Sequence, residues 1–211
     1  MPGTGLAAPF RCKVPYLWKE AGQAGDHSLC CFSFRGMMTY FDELTKAMTW
    51  LGERPETVFV GQGVVYPGHA MFKTLSGVPM EKRVELPVAE EMQMGMSLGL
   101  ALTGRVVISI FPRFDFLLLA VNQLVNHLDK LEDFTHGQFH ARVIIRVGVG
   151  STSPLYPGVQ HCGDYTEVFR KLLKMPVKRL SFVAQVLTTY QQCYNEQGSA
   201  LVIEEMDSYG H

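Results

Sequence analysis

Three runs in this chain cannot be half-exposed strands. "RVVISIF" (Arg105–Phe111), "ARVIIRVGVG" (Ala141–Gly150) and "ALVIEE" (Ala200–Glu205) are apolar nearly throughout. Successive side chains of a strand point to opposite faces, so a strand with one wet face alternates apolar and polar residues. These runs do not alternate, so both of their faces must be covered. A parallel sheet with helices on both sides meets that demand. The intervening segments have the lengths and apolar spacing of crossover helices, and strand and helix alternate about six times along the chain. The fold class expected is therefore α/β: a doubly wound, mostly parallel sheet. In such sheets ligands bind beyond the carboxyl ends of the strands, where the strand order reverses. The loops that follow strands are the places to look for chemistry.

The order becomes regular at Thr39. "TYFDELTKAMTWLG" has Thr39 and Asp42 in capping-box spacing and closes on Gly52, which predicts a helix. "TVFVG" (Thr57–Gly61) predicts a strand, and a Gly/Pro-rich loop follows to about Lys82. "RVELPV" is extended, but Pro87 forbids a central strand running through it. A helix is expected from Glu90 to Leu102, and a long one over "FDFLLLAVNQLVNHLDKLEDF" (Phe114–Phe134). A short helix, an extended "PVKRLS" and a helix in "FVAQVLTTYQQCYNEQG" lead to the last strand.

Composition narrows the function classes. The net charge is −1 over 211 residues. That leaves no electrostatic footprint for nucleic acid or an anionic membrane. No run approaches the roughly 20 apolar residues of a membrane span. Charged residues make up 18%, against roughly 25% in ordinary soluble domains, which suits a chain that covers part of its surface with a partner. The five cysteines are odd in number and form no C-x-x-C. This fits a reducing compartment, cytoplasmic or an organellar matrix, better than a disulfide framework or a zinc site. His136 and His140 are four apart, but Gly137 lies between them and no third ligand is near, so a polar loop is the reading and no metal site is expected. Residues 1–36 carry five glycines and three prolines without a clear period. They read as an irregular arm or as residues upstream of a natural start at Met37 or Met38, with one domain over residues 37–211.

The stretch "VELPVAEEMQMGMSLGLALTG" (Val84–Gly104) carries the most pointed chemistry. Two acids, Glu90 and Glu91, open an apolar helix just past an extended run. Spacing alone explains one of them, since the exposed N–H groups and dipole of a helix start favour acid. Gly95 and Gly99, four apart, permit close approach to the helix backbone.

That stretch, "FPRFDFLLLAVNQLVNHLDKL", "VIIRVGVG", "GVQHCGDYTEVF" and the last strand–helix–strand occur in one order. From about Val60 to Glu205 the chain resembles the beta subunit of the thiamine-diphosphate-dependent 2-oxoacid dehydrogenases, in the pyrimidine-binding domain that transketolases share. The resemblance implies a thiamine-diphosphate-binding fold. It implies that Glu90 is the glutamate that hydrogen-bonds the cofactor's aminopyrimidine, and it leaves Glu91 the helix-start role. It sets Phe111 against the pyrimidine, Phe114 in the pocket wall, and His161 near the reacting carbon as proton donor or carboxylate partner. Gln62 stands where the family has the acid of a G-E-D/E loop, so any relay through that position is in doubt. The family's G-D-G and downstream Asn, which hold Mg2+ and the diphosphate, have no counterpart, and neither does its C-terminal transketolase-type domain. The resemblance thus implies half of a cofactor site and an alpha-like partner in a hetero-oligomer that supplies the other half. The reaction implied is decarboxylation of a 2-oxo acid or transfer of a two-carbon unit. One half of a split transketolase and a non-catalytic scaffold or regulator are the alternatives.

Overall fold

A computed structural model describes residues 38–150 and 156–210, all within one compact unit, Gly36–His211. The expectations for residues 1–36 lie outside the described residues. The chain enters at α1 (Tyr40–Gly52), whose start is the predicted capping box: the Asp42 N–H donates to Thr39 Oγ1 and the Thr39 N–H to Asp42 Oδ2. There follow β1 (Thr57–Gly61), α2 (Ala70–Lys73), β2 (Arg83–Glu85), α3 (Glu90–Leu102), β3 (Val106–Phe111) and α4 (Phe114–Leu117). The chain continues through α5 (Leu131–Phe134), β4 (Arg142–Val149), α6 (Thr166–Leu172), β5 (Val177–Leu180), α7 (Val186–Asn195) and β6 (Ala200–Glu205).

All six strands pair in parallel in the order β2-β1-β3-β4-β6-β5. The alternation of side chains divides the core in two. Val106, Ile108 and Ile110 of β3, with Ile144 of β4 and Val202 of β6, face α1 and α7. Val107 and Phe111, with Val143, Ile145, Val147 and Ile203, face α3, α4 and α6. β2 is an edge strand that stops before Pro87, as the missing N–H of proline requires.

One run departs from expectation. Phe114–Phe134 is not a single α-helix. It passes from α4 through a 3-10 turn (Leu118–Ala120) into a π-helical stretch (Gln123–Leu128) before α5. The apolar stripe is kept, because Leu117, Ala120, Leu124, Leu128 and Leu131 are all buried. The run breaks at Asp129, whose carboxylate accepts the backbone N–H groups of Lys174 and Met175 from the loop before β5.

A fully buried ion pair also crosses the sheet on its α1/α7 face. Arg146 of β4 donates to both oxygens of Glu204 on β6, at 2.7 and 2.9 Å. Tyr190 and Tyr209 donate to the same carboxylate. These bonds satisfy the buried carboxylate and offset part of the cost of burying the pair.

Candidate functional site

The site lies at the carboxyl end of β1, at the start of α3. β1 ends on Gly61, and a Cβ there would lie 2.6 Å from the carbonyl oxygen of Ile110. Glycine thus lets the strand end run against β3. The chain then turns through Gln62 and Gly63. From the other side Glu90 opens α3, only 5% exposed. Gln62 Nε2 donates to Glu90 Oε1 at 3.1 Å. No Lys, Arg or His is bonded to Glu90 among the described residues, so this amide is its hydrogen-bond partner there. Both α3 acids lie in the first turn, near the helix N–H groups, where the dipole offsets part of the cost of a buried negative charge.

α3 is pinned from behind. Gln93, one turn past Glu90, donates to Ser109 Oγ (3.1 Å) and to the Ile110 carbonyl (2.9 Å). The Ser97 hydroxyl donates to Gln93 O at 2.8 Å, and its oxygen lies 3.0 Å from Ser109 Oγ, whose own hydroxyl can donate to it. These three polar side chains are buried and mutually satisfied, so they fix the helix against β3 rather than weaken the core.

In front of α3 is an open groove of about 870 Å³, lined by Ala89, Glu90, Glu91, Met92, Gly95, Met96, Leu119 and Gln123. Its floor is the first two turns of the helix. Gln123, from the π-helical stretch, donates to Glu91 Oε1 at 3.3 Å across one end. A Cβ at Gly99 would meet nothing within 4 Å. The close approach that Gly95 and Gly99 permit is therefore not used by the described residues.

The other predicted residues lie near this end of the sheet but not in the groove. Phe111, the last residue of β3, is 1% exposed, and Phe114 is fully buried against Tyr165 and Phe169. Neither ring lines the groove. His161 sits in a short 3-10 turn (Val159–His161), with its ring edge-on to Phe116 at 5.5 Å between centroids. Its Nδ1 is enclosed without a hydrogen-bond partner among the described residues. Asp115 ties the loop after His161 to α4, accepting from the Gly163 N–H and from Tyr165 Oη, each at 3.1 Å. The structure therefore brings Glu90 and Gln62 into direct contact, buries Phe111 and Phe114 in the core on the α3/α4 face of the sheet, and sets His161 against Phe116 of α4.

No family model matches. The 2-oxoisovalerate dehydrogenase subunit beta of Bacillus subtilis (strain 168) is 29% identical over 119 residues, 54% of this chain and 36% of that protein. The pyruvate dehydrogenase E1 component subunit beta of Gracilaria tenuistipitata var. liui is 34% identical over 110 residues, 50% of this chain and 34% of that protein. The chain is similar to the beta subunits of 2-oxoacid dehydrogenases. The matched part spans about a third of the length of these relatives. A solved structure titled as a split gene transketolase, inactive beta4 tetramer, shares the fold at a TM-score of 0.62 and 18% identity, over 81% of this chain and 52% of that one.

Sequence reading singled out Glu90 but missed the residues that hold its neighbour Gln62 in place. Glu85 and His69 grip the loop that carries Gln62. An acid ending the last extended run before Pro87, and a histidine just ahead of a helical segment, were the available signals.

Proposed function

We propose that this chain is the pyrimidine-side part of a thiamine-diphosphate site, a domain spanning residues 37–211, completed by an alpha-like chain that carries the diphosphate and Mg2+. The observation that carries this is Glu90. It is a buried carboxylate at the carboxyl end of a parallel sheet, bonded to an amide rather than a cation, at the edge of an open groove. A carboxyl placed so can hold a proton against a ring nitrogen that enters the groove. Similarity to the 2-oxoacid dehydrogenase beta subunits supports the same assignment.

The residues present fit the pyrimidine half of the group. One Glu90 oxygen is taken by Gln62, and the second makes no hydrogen bond among the described residues. Met92, Met96 and Leu119 give the groove apolar walls for the faces of a ring. Among the described residues no group of three or more His, Cys, Asp or Glu could hold a metal ion. The diphosphate and Mg2+ are accordingly assigned to the partner. When bound, thiamine diphosphate supplies a nucleophilic thiazolium carbon and an electron sink for a 2-oxo acid or a ketose. Glu90 orients the pyrimidine and keeps a proton at that ring nitrogen. Phe111 and Phe114 are buried in the core of the same face of the sheet rather than in the groove, and His161 is the group assigned to the substrate's side. A reducing compartment such as the cytoplasm is the setting proposed. Gln62, an amide where the family has an acid, favours a second reading: a relative that keeps the fold and the interface but not the chemistry.

One experiment separates the two. The chain is co-expressed with a candidate alpha-like partner, and exchange of the cofactor's thiazolium proton with deuterated solvent is followed by NMR. Glu90→Gln is expected to slow exchange by about 10²–10⁴, the usual range for lost acid–base assistance. Glu91→Gln is expected to leave it near the parent rate. Equal behaviour of the two variants would reduce Glu90 to an acid at a helix start.

A further inference from the structure

Two side chains outside the groove hold the loop after β1. Glu85, the last residue of β2, accepts from three successive backbone N–H groups: Gly63 at 2.5 Å, Val64 at 2.8 Å and Val65 at 2.8 Å. Consecutive N–H groups converging on one anion form a nest, and here the anion belongs to the protein itself. His69 grips the same loop from its far end. Its Nε2 lies 2.8 Å from the Gln62 carbonyl oxygen, and its Nδ1 lies 3.2 Å from the Phe72 backbone nitrogen. A carbonyl only accepts and a backbone N–H only donates. The tautomer follows: Nε2 carries the proton and donates to Gln62, while Nδ1 accepts from Phe72 and caps α2. Gly63 makes room for the ring. Its φ is +63°, and a Cβ there would lie 2.8 Å from His69 Cδ2.

We propose that His69 and Glu85 are positioning residues, which together fix the main chain at Gln62 so that its carboxamide donates to Glu90. The proposal rests on the reading of Glu90 as the proton-holding residue of the site. The geometry supports it at each step. The Glu85 nest begins at Gly63, the residue after Gln62. His69 holds the Gln62 carbonyl itself. Between these two anchors the Gln62 side chain leaves the backbone toward α3 and meets Glu90 at 3.1 Å. Without them the glutamine would be a flexible side chain next to a glycine. Displacements of about 1 Å in such a group can cost about 10²-fold in rate.

The test uses the full chain, labelled with 13C and 15N, and needs no cofactor. In the unaltered chain the His69 ring nitrogens are expected to show an unprotonated Nδ1 and a protonated Nε2. The Gln62 carboxamide protons are expected to be displaced by the bond to Glu90, and Glu90→Ala should abolish that displacement. His69→Gln keeps a donor near the Nε2 position and loses the cap. His69→Asn keeps an acceptor near the Nδ1 position and loses the donor. The Gln62 signal should stay near its parent position in His69→Gln and move to that of a free amide in His69→Asn, although the latter retains the α2 cap. Glu85→Ala should move it as well. A protonated Nδ1 in the unaltered chain would overturn the proposal even if no variant folds. So would a Gln62 signal that His69→Asn or Glu85→Ala leaves in place, or that both His69 variants move alike. Failure of the assembled complex to bind thiamine diphosphate would sink the functional reading and leave this one standing.

Discussion

At His69, charge and geometry pull in definite directions. Burial holds the ring's pKa below its ordinary value of 6.5. The Gln62 carbonyl and Glu85 work against that shift, while Arg146 and Arg113 work with it. The folded ring therefore stays neutral at pH values where the unfolded chain takes up a proton. The unfolded state then binds more protons, so stability falls with falling pH. The contribution is complete above about 6.5 and is lost as the pH drops from there toward the depressed folded value. Replacing His69 by Gln removes this part of the dependence. Melting temperatures of the parent and His69→Gln, measured from about pH 8 to about pH 5, are expected to converge as the pH falls. Parallel curves would mean that His69 is not held neutral. This residue also shows where sequence reading stopped. The place of Glu90 was legible, because an acid past a strand end and at a helix start is a local pattern. His69 and Glu85 act through partners 7 and 20 to 22 positions away, and only the closed loop brings those groups together.

The same contrast holds for the elements. The predicted bounds of α3, Glu90 to Leu102, are those of the structure. Its start follows Pro87, and it ends just before Gly104, which has φ +88°. The six strands and the capping box of α1 were equally readable, since each depends on period or on residues a few positions apart. Phe114–Phe134 was not, because its break at Asp129 depends on Lys174 and Met175. Arg146 hid in the same way. Inside an apolar strand, a single Arg becomes intelligible only once Glu204 is placed beside it in the sheet. For α3 the decisive interaction is also long-range: Gln93 fixes the helix to β3 through Ser109 and Ile110. Gln93→Leu keeps most of the volume but leaves the serine pair with a buried, incomplete set of hydrogen bonds. A loss of about 1–3 kcal/mol is expected, the usual cost of an unsatisfied buried polar group. Urea denaturation should show it as a lower midpoint with an unchanged slope. A midpoint equal to the parent's would mean that the apolar contacts of Met94 and Ala101 hold α3 unaided.

For the whole molecule, the groove is the feature that a second chain would complete. Apolar side chains that line it are exposed, Met92 at 42% and Leu119 at 65%. The charged end of thiamine diphosphate is its strongest handle, and in this reading that handle belongs to the partner. The described residues offer it no metal-binding cluster. The pyrimidine contacts that remain are a carboxyl, an amide and apolar walls in an open groove. These bind a small ring weakly, because an exposed ring loses little water and gains few contacts. Isothermal titration of the chain alone with magnesium and thiamine diphosphate is thus expected to show weak binding or none. Titration of the complex with an alpha-like partner should show tight binding in a mixed assembly, most simply one with two-fold symmetry. Tight binding by the chain alone would sink the divided site, since the diphosphate would then have a complete site within this chain. Absence of binding by every mixed assembly, with the Gln62–Glu90 bond intact by NMR, would favour the non-catalytic relative. In that case the buried glutamate would be kept for the geometry of the loop and helix alone.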